Sequence, residues 1–74
     1  QQREGELAVA QAQLNLARIE EDRARKLVAK GHISQSTLDE RRTARAEATA
    51  KVHTATAAVE AARLELSYTR GMSF

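Results

Sequence analysis

Apolar and small residues recur along the second half of the chain at alternating steps of three and four. Leu38, Arg41, Arg45, Ala48, Val52, Ala55, Val59, Ala62, Leu66 and Thr69 hold that series over ten positions. Such spacing lays one stripe of side chains along one face of an α-helix, as in a coiled-coil seam. It predicts a helix over about residues 35–69, roughly 50 Å long at about 1.5 Å per residue. The first half carries the same alternation in Leu7, Ala10, Leu14, Ala17, Ala24 and Val28, with Glu21 at the place the series skips. It predicts a helix over about residues 3–30. Leu16, Ile19 and Leu27 lie beside this seam and widen its apolar surface. Gly5 weakens the first turns, because glycine loses most conformational freedom in a helix and favours fraying.

The break between the two patterns is the turn at 31–34. Gly31 is placed just past the end of the first helix, where a left-handed conformation costs glycine nothing. Lys26 and Lys30 lie in the last turn, where cations complement the negative end of the helix dipole. Ser34 suits the N-cap of the second helix, and Thr37-x-x-Glu40 is a second, capping-box candidate slightly further in. Ile33 is predicted to pack back on Leu27. A connection this short makes the arms antiparallel neighbours. Folding there pairs positions whose numbers sum to about 66, so Leu14 meets Val52, Leu7 meets Val59 and Val28 meets Leu38. The same register sets Glu21 level with Arg45 and predicts an ion pair between the arms. The expected fold is all-α: a two-helix antiparallel coiled-coil hairpin over residues 1–74. Gly71 reads as the stop signal after the second arm.

Composition narrows the picture. Seventy-four residues make one small domain, too short for a sizeable enclosed core. Alanine is abundant, with leucine, glutamate, arginine and lysine, a composition of long helices and coiled coils. There is no cysteine and no proline, so neither a disulfide nor a thiolate metal site is available. No run of about 18 apolar residues occurs, so no membrane-spanning segment is expected. The opening Gln-Gln-Arg-Glu-Gly has no apolar signal-peptide core, and a chain that starts at glutamine reads as a piece of a longer protein. Net charge is +2, unevenly spread: residues 22–45 hold seven basic and three acidic side chains, the remainder five and seven. The turn end is basic and the open end mildly acidic.

These residues resemble a known family. An alanine-rich arm, then Arg23-x-x-x-Leu27-x-x-x-x-x-x-Ser34, then a second arm closing with Leu66-Ser67-Tyr68-Thr69, is similar to the α-helical hairpin of periplasmic adaptor proteins, the membrane fusion proteins of the HlyD/AcrA-like family. The phrase Gly31-His32-Ile33-Ser34 followed by Leu38-Asp39 is similar to that family's hairpin turn. The resemblance implies an adaptor that links an inner-membrane transporter to an outer-membrane channel in tripartite efflux pumps. It implies a periplasmic location, association with the inner membrane through the parent chain, and a hexamer of hairpins packed side by side. It also implies that Arg23, Leu27 and Ser34 dock on the channel. The family's lipoyl and β-barrel domains are not among these residues, and Arg70-Gly71-Met72-Ser73-Phe74 departs from the apolar residue and Ala-Pro that usually follow.

Other chemistry is weaker. His32 and His53 sit about 20 residues apart, on the order of 30 Å along a helix, and cannot share an ion. Glu20, Glu21 and Asp22 form an acidic cluster, but a two-helix hairpin offers no catalytic pocket. No phosphate loop or nucleophile-base pattern is present. The expectation is a protein without enzyme activity, catalytic residues, metal or cofactor. Two other functions stand beside the adaptor. One is a generic antiparallel connector with no dedicated partner at its turn. The other is a phosphate-contacting helix pair through Arg23, Arg25, Lys26, Lys30, Arg41 and Arg42, disfavoured by the lack of stacking aromatics, so nucleic acid is not expected as a partner.

Overall fold

The computed structural model describes residues 2–71. Helix α1 spans Gln2–Ala29 and helix α2 spans Gln35–Gly71. They pack against each other into a rod of 67 × 15 × 12 Å. The chain is the antiparallel helical hairpin that its periodicity predicts.

The turn explains why two helices form rather than one. Gly31 takes φ 75°, the left-handed region that other residues avoid. Its N–H bonds Val28 O at 2.9 Å, and the His32 N–H bonds Leu27 O at 2.9 Å. Those two bonds are the Schellman pattern, which satisfies carbonyls that the end of α1 leaves without partners. The next helix starts at once. Ser34 Oγ accepts the Thr37 N–H at 3.2 Å, and Ser34 O accepts the Leu38 N–H at 3.3 Å. Ser34 is therefore the N-cap. Thr37, the second capping candidate, sits inside the first turn of α2, and its hydroxyl shares a 3.0 Å hydrogen bond with Ser34 Oγ.

The seam is narrow. Ala10, Leu14, Ala24, Leu38, Ala48 and Val59 are buried, and Leu7, Ala17, Val28, Val52, Ala55 and Ala62 are half-buried. Leu16, Ile19, Leu64, Leu66 and Tyr68 are largely exposed. Leu66 belongs to the seam series, yet a register that sums to about 66 leaves it opposite no residue of α1. Gly5 lies within α1, which starts at Gln2. Gly71, the expected stop, is itself helical, and the departure at Met72, Ser73 and Phe74 lies outside the described residues.

Among the described residues three ion pairs join the arms. Glu21 Oε1 meets Arg45 Nη1 at 3.2 Å, as the register predicts. Glu20 Oε2 meets Arg41 Nη1 at 3.4 Å, and Glu4 Oε2 meets Arg63 Nη2 at 3.9 Å. The last pair is well exposed and contributes little, since surface pairs give about 0–1 kcal/mol.

Candidate functional site

The closed end of the hairpin carries an open cleft of about 180 Å³, lined by Glu20, Arg23, Ala24, Leu27, Ile33, Thr37 and Arg41. Its floor is made by Ala24, which is buried, and by Leu27 and Ile33, which are half-buried. The predicted return of Ile33 towards Leu27 is thus seen. The Schellman cap accounts for it: once the His32 N–H has bonded back to Leu27, the next side chain is turned over the end of α1.

Arg23 and Leu27 share this cleft because they stand one helical turn apart on the same face of α1. Ser34 does not line it. Its hydroxyl caps α2 and reaches the cleft only through its hydrogen bond to Thr37. Of the three residues that the resemblance singles out, the fold therefore brings two together and gives the third a capping task one step away.

Charge sorts the basic residues of this end. Arg25 pairs with Glu21, Lys26 with Asp22 at 3.1 Å, Arg41 with Glu20 at 3.4 Å, Arg42 with Asp39 at 3.9 Å and Arg45 with Glu21 at 3.2 Å. Among the described residues Arg23 and Lys30 have no such partner, and both are exposed. Arg23 is thus an available fork of guanidinium donors on the rim of an apolar hollow. It matches a carboxylate or a row of carbonyls with an apolar side chain beside it.

Glu20, Thr37 and Arg41 complete the walls, and sequence reasoning did not place them at the site. Arg41 was assigned to the seam, but it is 46% exposed at its side chain and reaches out to Glu20. Its Cα stands at a seam position, but the long side chain carries its head out to Glu20. The numbers of Glu20 and Arg41 sum to 61, five short of the paired register, so the contact is a diagonal one that the register does not signal.

Residues 1–69 match the family described as RND MFP, alpha-helical hairpin domain. The chain is 41% identical over 66 residues to the multidrug efflux pump subunit AcrA of Escherichia coli strain K12, and equally to that of Escherichia coli O157:H7. The match covers 89% of this chain and 17% of each relative. No solved structure matched.

Proposed function

The chain belongs to the RND membrane fusion proteins, whose α-helical hairpin domain it forms, and from that premise we propose that its closed end docks on the periplasmic end of an outer-membrane channel. In this reading the hairpin is one part of a longer adaptor that lies in the periplasm, associates with the inner membrane and connects an inner-membrane transporter to the channel. Its task is mechanical and carries no catalytic step. The efflux-pump role of the relatives supports this assignment. So does the length of the rod, 67 Å, which suits a spacer. No helix among the described residues is long and apolar enough to cross a membrane. Six copies standing side by side complete the picture, and the exposed Val9 and Leu16 along one flank of α1 give neighbouring hairpins an apolar strip to share.

The observation that carries the docking reading is the contrast at the tip. Five of its basic side chains are held in ion pairs, whereas Arg23 stands without one beside Leu27 and Ile33. Pairing lowers the free positive charge and so weakens the phosphate-contacting alternative, which needs several unpaired cations together.

Two charge reversals in the full adaptor test it, with efflux-dependent resistance as the readout at matched expression. Arg23→Asp is expected to abolish transport, because it sets an anion where a cation meets the channel. Arg63→Asp on the shaft is expected to be tolerated, since its ion pair with Glu4 is long and exposed. Tolerance of both changes would leave the hairpin a spacer without a docking tip.

A further inference from the structure

Glu21 is the one buried charged side chain among the described residues, 5% exposed, and the other buried seam residues are alanine, leucine and valine. Arg25 holds it from the same helix and Arg45 Nη1 from the other at 3.2 Å. One residue earlier, Glu20 meets Arg41 at 3.4 Å. The two bridges between the helices open into different clefts. Glu20 and Arg41 line one together with Ala17 and Ala48, while Glu21 and Arg45 line another with Arg42 and Thr49. The seam is therefore tied on both flanks at one level.

An ion pair with one buried partner adds little stability, because the cost of desolvating the carboxylate offsets much of the attraction. It is an effective way to fix alignment: a single polar residue at a seam position sets register in coiled coils, since every other alignment leaves it buried without a partner. The neighbouring seam residues here are Ala17, Ala24 and Ala48, and alanine has no side chain long enough to interlock with the facing helix. Turning α2 by one position, or sliding it by seven residues so that Ala55 comes level with Ala17, costs this seam little packing. It would, however, set Glu21 level with Ala46 after the turn or with Val52 after the slip, neither of which offers a donor, and leave it held only by Arg25 of its own helix.

We propose that Glu21 is a positioning residue: clamped by Arg25 and Arg45, and seconded by the Glu20–Arg41 bridge, it locks the rotation and register of α2 against α1. What the lock holds is the tip, where Arg23 and Leu27 on α1 must face Ile33 and Thr37 across the turn. That last consequence rests on the docking reading; the lock itself does not.

The test places cysteine pairs in the chain and follows intramolecular disulfide formation under native conditions. A17C/A48C reports the native alignment, A17C/T49C a rotation of α2, and A17C/A55C an axial slip. With Glu21 in place only the first pair is expected to close. In a Glu21→Leu background helicity is expected to persist, while closure of the two misaligned pairs rises about tenfold or more, as the penalty for a stranded charge is removed. Exchanging the charges together, Glu21→Arg with Arg25→Glu and Arg45→Glu, is expected to restore selectivity for A17C/A48C. Selectivity unchanged in Glu21→Leu overturns the proposal. So does a loss of helicity in that variant, since Glu21 would then hold the fold rather than its alignment. The assay involves no channel, so its failure is separate from that of the docking reading, which the Arg23→Asp comparison decides.

Discussion

Two residues at the turn set the ends of both helices, and each has a separable cost. Gly31 sits at φ 75° with nothing within 4 Å of where a Cβ would stand. Gly31→Ala therefore meets no steric neighbour and loses only backbone energy, about 1–2 kcal/mol, which a lowered midpoint in urea unfolding would show. Ser34 accepts the Thr37 N–H, so Ser34→Ala is expected to cost about 1 kcal/mol. Ser34→Asp keeps an acceptor at the same place and is expected to retain stability. If transport in the full adaptor survives Ser34→Asp as well, the serine is a cap and nothing more; if transport fails while stability holds, its surface also meets the channel. Chemistry at these positions was legible because glycine and serine have few competing reasons to stand there. Arg41 was not, because a seam position fixes where a Cα lies and not where a long side chain ends.

At the scale of the helix, Leu14 and Leu16 show what the period resolves. They are the same residue type two positions apart, yet Leu14 is buried at 7% exposure and Leu16 stands 57% exposed. Leu14→Ala is expected to cost about 2–4 kcal/mol, enough to melt a hairpin with so thin a seam, whereas Leu16→Ala is expected to stay within about 0.5 kcal/mol. Thermal melts followed by circular dichroism would compare them; equal losses would mean that α1 is rotated from the described position. The alternation of three and four also predicted the Glu21–Arg45 bridge across 24 residues of sequence. It failed towards the open end, where Leu66 continues the series yet stands 49% exposed. Periodicity reports the face a residue occupies, and only the facing helix decides whether that face is covered. The tip cleft was half legible for the same reason: Arg23 and Leu27 share a helix face, but Thr37 and Glu20 join them only through the way the second helix leaves the turn.

For the molecule as a whole, shape is the most telling quantity. The Cα radius of gyration is 18.1 Å, against about 11 Å for a compact chain of this length and about 26 Å for an unfolded one. Small-angle scattering of the chain is expected to return a rod with a longest dimension near 67 Å. Association through the flank that bears Val9 and Leu16 would thicken the cross-section and leave that length unchanged, whereas association through the tips would nearly double it. The five-residue connection at 30–34 has a further consequence, for the order of events in time. Closing so short a loop loses little chain entropy, and each later contact between the arms closes a larger one. The arms therefore zip from Leu38 and Ala24 outward, and in thermal fluctuation they peel in reverse, from Val59 and Leu7 inward. Amide hydrogens near Leu38 are expected to outlast those near Val59 in exchange with deuterated water. Interaction sites are often drawn from the least stable part of a fold; in this hairpin the end that would meet a partner is the last to come apart.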